Sequence, residues 1–294
     1  MSRRADTSNI PTFDPLFDAD LVRRALAEDV GRGDITTQAT IAPGTQSSAR
    51  IVARQAGVIA GLPMAALTFA QLDPTVTFET LAPDGSAVEA GTTVANVTGD
   101  AAALLTAERT ALNFLGHLSG IASQAARCAA AVAGTRARVV DTRKTTPGLR
   151  LLEKYAVRMG GAHNHRAGLD DGVLIKDNHI AAAGSLPLAI ERARDRISHL
   201  IKIEVECETE AQVNEAIIAE ADAILLDNMT PDRLRSAVAL IRERAPQIII
   251  EASGSIGTDP EKLAAVAATG VDLISLGALT HSAPNLDVAL DFEL

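Results

Sequence analysis

The chain is poor in aromatic residues and in cysteine. Its 294 residues include no tryptophan, one tyrosine, six phenylalanines and two cysteines. Cys128 and Cys207 stand far apart and form no CxxC pair, so we expect neither a disulfide framework nor a zinc site. The lack of tryptophan fits a core built from small aliphatic side chains.

Long apolar runs and an excess of positive charge are also missing. No stretch approaches the roughly 20 apolar residues that cross a bilayer, and the basic start has no apolar run behind it, so we expect no signal peptide. The net charge of −10 argues against a general nucleic-acid binder, although a few cations in a cleft can still attract an anionic substrate. We therefore expect a soluble cytoplasmic protein with no membrane or nucleic-acid partner.

The first hundred residues mix short strands with turns. Alternation and turn residues predict strands at 50–61, 75–81 and 91–100. An alanine- and leucine-rich stretch, 101–133, has helical spacing broken only by two glycines.

The second half alternates short apolar runs with helical segments such as 187–199 and 231–245. The predicted strands are 137–143, 172–176, 201–206, 223–227, 247–253 and 272–277. Alternation of buried strands with helices predicts a parallel sheet with helices outside it, an α/β arrangement.

Polar residues stand at the carboxyl end of each predicted strand. They are Arg143 and Lys144, Lys176, Glu206, Asp227, Ser253 and Gly277. In a parallel α/β barrel these ends meet on the face where ligands bind. The alternative is that strand ends are polar simply because they enter solvent.

Two segments supply cations. Arg143 and Lys144 follow a buried strand and precede a turn and a helix, which favours anion binding over an ordinary surface pair. His165, Arg166 and Lys176 lie in the dense segment 158–180, which is better suited to binding an acidic substrate than a metal. The same segment holds His179, which is at least as well explained as a loop hydrogen-bonder.

Carboxylates follow on the next strands. Glu204 and Glu206 alternate with apolar residues and so share one strand face, and Asp227 ends the strand after them. Glu206 and Asp227 can hold Mg²⁺, bind ribose hydroxyls, or act as the acid and base of a hydrolase.

Small residues end the last two predicted strands, in 251–257 and 275–284. Their backbone N–H groups can approach a phosphate, especially where a helix begins just after. On the long helix, Arg109 is by itself as well explained by an exposed charge or an ion pair with Glu108 as by a functional role.

Together these segments resemble the quinolinate phosphoribosyltransferase family over nearly the whole chain. The matching stretches are 28–37, 108–123, 141–150, 153–180, 203–206, 224–229, 251–256 and 272–282. The resemblance implies an N-terminal α/β sandwich domain, 1–118, joined by the tail 283–294, and an incomplete parallel α/β barrel, 119–282. It also implies a homodimer, or a higher homo-oligomer, with shared active sites.

The resemblance further implies the chemistry: phosphoribosyl transfer from phosphoribosyl pyrophosphate to quinolinate with loss of CO2, using Mg²⁺. The implied quinolinate ligands are Thr142, Arg143, His165, Arg166, Lys176 and, from the partner, Arg109. Lys144 lies between the two substrates in this scheme. Glu206 and Asp227 face ribose and metal, while Ser253, Gly254 and Gly277 face the 5′-phosphate. The implied catalytic residues are Lys144, Lys176, Glu206 and Asp227.

The chain departs from the family pattern at two places, where Ala162-His163 and Ser255 replace usual glycines. We expect phosphate binding to survive, with an altered affinity. Three rival functions stay open. These are a paralogue acting on another aromatic acid or in molybdenum metabolism, a Schiff-base aldolase with Lys176 as nucleophile, and a non-catalytic nucleotide sensor.

Overall fold

The computed structural model describes residues 15–292. Contacts within the chain divide these residues into two compact units. The first comprises the described residues up to Ala126, Tyr155–Gly161, and those from Ala283 onward; the second comprises Arg127–Lys154 and Ala162–Ser282. Among the described residues, none of the helices is both long and apolar enough to cross a membrane.

The first unit is built around an antiparallel sheet. Its elements in chain order are α1 (Pro15–Val30), α2 (Ile35–Thr40), β1 (Gln46–Ala53), β2 (Gly57–Val58), α3 (Leu62–Leu72), β3 (Thr77–Thr80), β4 (Ala87–Val88), β5 (Thr93–Asp100), most of α4 (Ala101–Ala131) and β12 (Val288–Phe292). The sheet has the order β12-β1-β5-β3, and β2 pairs with β4. Its core is aliphatic apart from Phe69 and the partly buried Phe78 and Phe292, so the predicted aliphatic core is confirmed for this unit.

The last strand returns the end of the chain to this sheet. β12 pairs antiparallel with β1, with Ile51 opposite Leu290. The segment before it packs closely on α4, because a Cβ atom on Gly120 would lie 2.1 Å from the carbonyl oxygen of Pro284. α4 itself runs unbroken through Gly116 and Gly120. The missing side chain of Gly120 leaves room for this close contact.

The second unit is an open sheet of parallel strands. Its elements are β6 (Arg138–Val140), the start of α5 (Arg150–Met159), β7 (Val173–Ile175), α6 (Asp177–Ala183), α7 (Leu186–Arg194), β8 (Ile203–Cys207), α8 (Glu210–Ile218), β9 (Ala223–Asp227), α9 (Pro231–Arg244), β10 (Ile249–Ser253), α10 (Pro260–Ala267), β11 (Leu273–Ser275) and α11 (Ala278–His281). The strand order is β6-β11-β10-β9-β8-β7, and every pairing in it is parallel. The predicted α/β class and parallel sheet are confirmed.

Helix starts in this unit follow local capping rules. Ser185, Thr209, Thr230 and Asp259 each accept a backbone N–H of the first turn. Proline stands near the start of three of these four helices, where its missing N–H costs nothing.

The first unit contains helices that the sequence analysis missed. It expected strands and turns up to residue 100, whereas α1, α2 and α3 lie there. The start of α3 is stabilised from a distance, because the Asp84 carboxylate accepts the N–H groups of Gly61 and Leu62. The predicted domain boundary at 118/119 lies inside α4, and the contact-based division falls after Ala126, so the exact domain bounds stay a prediction.

Candidate active site

A pocket of about 300 Å³ lies at the carboxyl ends of the parallel strands in the second unit. Its lining residues are Thr142, Arg143, Lys144, His165, Arg166, Leu174, Lys176, Leu225, Glu251, Ser253 and Ser275. Seven of them were named from the sequence as site residues: Thr142, Arg143, Lys144, His165, Arg166, Lys176 and Ser253. The pocket thus gathers two arginines and two lysines around a small volume, which suits a ligand with several negative charges.

The backbone of His165 is held by a buried ion pair. Asp141, which follows β6, is 0% exposed and forms a salt bridge with Lys154 of α5, which is 3% exposed. Asp141 also accepts the N–H of His165 at 2.8 Å, and Lys154 donates to the His165 carbonyl at 3.0 Å. Burial raises the pKa of Asp141, against the opposing effect of Lys154. Neither member of this pair was predicted from the sequence.

The ring of His165 is engaged at both nitrogens. Its Nδ1 accepts the backbone N–H of Arg166 at 2.8 Å. Its Nε2 lies 3.1 Å from Glu204 Oε2 and 3.4 Å from Glu251 Oε2. An Nδ1 that accepts an N–H carries no hydrogen, so the neutral ring has its own hydrogen on Nε2, facing the two carboxylates.

Neighbouring carboxylates act on the pKa of His165. Burial lowers this pKa, but the hydrogen bond to Glu204 and the nearby carboxylate of Glu251 raise it, to about 10 as the net result. Burial also raises the pKa of Glu204, more than its hydrogen bond from His165 lowers it. Both effects favour a hydrogen between Nε2 and the carboxylates.

The same three residues bring their ligating atoms within 4.8 Å of one another. A metal ion at Nε2 would need the lone pair of that nitrogen. The hydrogen bond at Nδ1 leaves that lone pair occupied by hydrogen. We therefore assign no metal to His165, as the sequence analysis also concluded.

Lys176 and Glu206 face each other across neighbouring strands. Lys176 directly follows β7, Glu206 lies on β8, and their side chains form an ion pair. Glu204 and Glu206 lie on one face of β8, as predicted, since one meets His165 and the other meets Lys176.

Asp227 ends β9 and is linked to the end of β10 through Asn228. The Asn228 side chain donates to Asp227 at 2.6 Å and accepts the N–H of Ser255 at 3.1 Å. Asn228 has φ of 51°, in the left-handed region that asparagine tolerates better than most residues. Gly254 has φ of 108°, and a Cβ there would lie 2.3 Å from the Asn228 side chain. Asn228 was not predicted as a site residue, although an asparagine directly after a buried strand was the available signal.

Gly277 lies after β11, at the start of the short helix α11. A Cβ at this position would lie 2.9 Å from Cδ of Lys144. Thr280 of α11 donates to the carbonyl oxygen of Lys144 at 2.7 Å, which fixes the loop after β6 against the loop after β11. The expectation of a helix directly after the small residues holds for Gly277 but not for Ser253, because α10 begins only at Pro260.

Five site residues predicted from the sequence lie outside the pocket lining: Arg109, Glu206, Asp227, Gly254 and Gly277. His179 lies outside it as well. His179 accepts the backbone N–H of Lys176 at 3.0 Å, so it is the loop hydrogen-bonder that the sequence analysis weighed. Arg109 lies on α4 in the first unit with an exposed side chain.

The chain matches the models of one protein family over most of its length. The model of the quinolinate phosphoribosyl transferase C-terminal domain matches residues 121–291, and the model of the N-terminal domain matches residues 34–119. The chain belongs to the quinolinate phosphoribosyltransferase family. The resemblance stated from the motifs is thereby confirmed.

Named relatives and solved structures agree with this assignment. A probable carboxylating nicotinate-nucleotide pyrophosphorylase from Synechocystis is 50% identical over 90% of this chain and 89% of its own length. The corresponding protein of Mycobacterium leprae is 45% identical over 94% of this chain and 98% of its own length. The structure of the nicotinate-nucleotide pyrophosphorylase from Francisella tularensis superimposes with a TM-score of 0.91, at 37% identity, over 98% of this chain and 100% of its own.

Within the quinolinate phosphoribosyltransferase pattern, two departures now have a structural account. Among the described residues, only Glu220 and Asn228 are non-glycine residues with positive φ, so Ala162 and Ser255 occupy backbone conformations that any residue adopts. Ala162 is buried, and the N–H of Ser255 is bonded to Asn228. Neither replacement strains the backbone.

Proposed function

We propose that this protein transfers the phosphoribosyl group of phosphoribosyl pyrophosphate to quinolinate, with loss of CO2, to give nicotinate mononucleotide and pyrophosphate. Its family membership and the names of its relatives support this reaction. The observation that carries it is the pocket, in which Arg143, Arg166, Lys144 and Lys176 converge at the strand ends. A planar dicarboxylate needs several such donors at once.

Quinolinate binds on the side of the pocket nearest Arg143 and Arg166. Their guanidinium groups match the geometry of carboxylates, and Lys176 adds a point charge. Thr142 and His165 line the same pocket. Burial, and then the charge of Arg143, lower the pKa of Arg166. An anion bound near both guanidinium groups would relieve their mutual repulsion, so this arrangement supports a binding role.

Phosphoribosyl pyrophosphate binds at the remaining strand ends. Lys144 lies between the two substrates, and Glu206 and Asp227 face the ribose. Ser253, Gly254 and Gly277 surround the 5′-phosphate. Support for this arrangement comes from the loops after β10 and β11, since terminal loops of barrels commonly bind phosphate. Asn228 and Thr280 fix those loops.

Magnesium fits the carboxylates at the ends of β8 and β9. Glu206 pairs in register with Leu225, and Asp227 follows Leu225 by two residues, so both acidic side chains lie on the same face of the sheet. Mg²⁺ is commonly held by one or two carboxylates, with water and substrate phosphates completing its shell. Bound there, the ion would neutralise charge on the departing pyrophosphate, and Glu206 and Asp227 would hold it.

In the reaction, the quinolinate ring nitrogen forms a bond to C1 of the ribose as the bond from C1 to pyrophosphate breaks. Positive charge develops at C1, and the fixed carboxylates Glu206 and Asp227 stabilise it. Lys144 and Lys176 stabilise the negative charge that moves onto the leaving group. The carboxylate beside the ring nitrogen then leaves as CO2, its bonding electrons stay on the ring carbon, and that carbon takes up a proton.

The rival aldolase function is less well supported. A Schiff-base lysine must attack as a free amine. The Nζ of Lys176 is ion-paired with Glu206, which suits an anchoring cation. Borohydride treatment in the presence of carbonyl substrates should therefore leave the protein unlabelled.

A homo-oligomer with shared sites and a cytoplasmic location are also part of this proposal. The family resemblance supports the first through Arg109. The second is supported by the chain's composition.

The test compares two aromatic acids. Purified protein is incubated with phosphoribosyl pyrophosphate, Mg²⁺ and either quinolinate or nicotinate, and nicotinate mononucleotide is measured by chromatography. We expect product from quinolinate only, because nicotinate lacks the second carboxylate that the paired cations bind. Equal or faster product formation from nicotinate would overturn the assignment.

A further inference from the structure

Glu251 is a charged residue in an unusual place. It lies in the middle of β10, the third strand of the parallel sheet, and is 1% exposed. Among the described residues, no donor meets either of its side-chain oxygens with hydrogen-bond geometry. A buried carboxylate without such a partner costs free energy, so its presence calls for a physical reason.

Oε2 of Glu251 lies 3.4 Å from Nε2 of His165. Glu204 reaches the same nitrogen from β8, at 3.1 Å. The two carboxylates come from β8 and β10, with β9 between these strands. The Nε2–H bond therefore points between two carboxylates, each able to accept it.

His165 is consequently held at every polar atom. Asp141 and Lys154 hold its backbone, Arg166 occupies Nδ1, and the two glutamates face Nε2. With both ring nitrogens in use, the ring leaves no N–H for substrate. Its effect on substrate must pass through its neighbour Arg166, whose amide direction the ring fixes.

We propose that Glu251, together with Glu204, is a positioning residue: the two carboxylates hold the Nε2–H bond of His165 and thereby fix the turn that carries Arg166 into the pocket. The inference rests on the proposed function for its consequence in catalysis, and it refines the role of His165. The tautomer of the ring is a property of the free protein, so it can be tested without substrate.

The first measurement is nuclear magnetic resonance of protein labelled with ¹⁵N in its histidine rings. The spectrum of His165→Gln identifies the signals of His165 among the six histidines. At neutral pH we expect a hydrogen on Nε2, facing the two carboxylates. A ring with no hydrogen on Nε2 would overturn the proposal whatever the protein catalyses.

The second measurement compares substitutions at Glu251. Glu251→Met removes the acceptor at similar size, and we expect the KM for quinolinate to rise about tenfold or more, as for a lost hydrogen bond to a charged group. The KM for phosphoribosyl pyrophosphate and kcat should change much less. Glu251→Gln keeps an acceptor oxygen and should restore most of the affinity for quinolinate and the Nε2–H signal.

Glu153 provides the matched control. It is also a buried glutamate of the second unit, at 0% exposure, but its carboxylate accepts the N–H of Thr146 and lies outside the pocket lining. We expect Glu153→Met to alter stability without the selective change in the quinolinate KM. An equal change in both methionine variants, or no change in Glu251→Met, would contradict the positioning role.

Discussion

Arg166 shows how much of the pocket depends on a single side chain being held in place. Its guanidinium donates to the carbonyl oxygen of Gly172 at 2.9 Å, and its amide is fixed by His165. The remaining guanidinium donors are available to a ligand in the pocket that Arg166 lines. Arginine is suited to this task because its planar fork can bind both oxygens of a carboxylate.

Replacing Arg166 should affect the binding of the two substrates differently. We expect Arg166→Ala to weaken quinolinate binding by roughly 2–5 kcal/mol, the usual cost of losing a desolvated charge pair, and to change phosphoribosyl pyrophosphate binding far less. Titration calorimetry with each substrate measures both effects. Arg235→Ala, which removes an exposed arginine paired with Asp232 on α9, is the control. Unchanged quinolinate affinity in Arg166→Ala would exclude the role given to Arg166.

Strand ends are the elements that bring the site together. Residues separated by more than a hundred positions, such as Arg143 and Ser253, line one pocket because β6 to β11 are parallel and end on the same side. A side chain at such an end lies beyond the buried part of its strand. Changing its charge should therefore alter the free energy of unfolding little, even where it abolishes activity. Residues at the ends of β8 and β9 test this expectation.

Glu206 and Asp227 should be needed for turnover but not for folding. We expect the double variant Glu206→Gln, Asp227→Asn to lose most of its turnover at saturating substrates. We also expect turnover by the wild type to require Mg²⁺. Thermal unfolding of the variant should stay close to that of the wild type, since neither residue belongs to the buried set. Turnover is measured with and without a chelator. Wild-type turnover in the double variant would mean that these carboxylates serve only the structure.

The sequence predicts these elements unevenly, for physical reasons. β9 is predicted to the residue because its run of apolar side chains is bounded by charged residues. α3 was missed because its start depends on Asp84, a contact distant in sequence. Glu251 was missed for a similar reason: a glutamate in an apolar run is a visible signal, but its meaning depends on His165, which only the fold brings close.

At the scale of the whole molecule, Arg109 is the predicted residue whose role needs a second copy of the chain. The family resemblance assigns it to the active site of a partner. A two-fold interface that carries Arg109 across in one direction carries it back in the other. Each dimer would then have two composite sites.

Mixing two inactive variants tests this arrangement. In a heterodimer of Arg109→Ala and Lys176→Ala chains, one site would receive both changes and the other neither. We expect part of the activity to return after subunit exchange, up to about one intact site per heterodimer by the symmetry argument. Exchange is verified separately with differently labelled chains. If exchange occurs and activity stays absent, Arg109 acts within its own chain or has no role in the reaction.

The whole account depends on one reaction that joins phosphoribosyl transfer to decarboxylation. The most direct measurement uses quinolinate labelled with ¹⁴C in the carboxylate beside the ring nitrogen, together with phosphoribosyl pyrophosphate and Mg²⁺. Labelled CO2 and pyrophosphate are counted over the same interval. We predict that they appear in equal amounts and that neither appears when one substrate is left out. Pyrophosphate release without labelled CO2, or no release of either, would contradict the account.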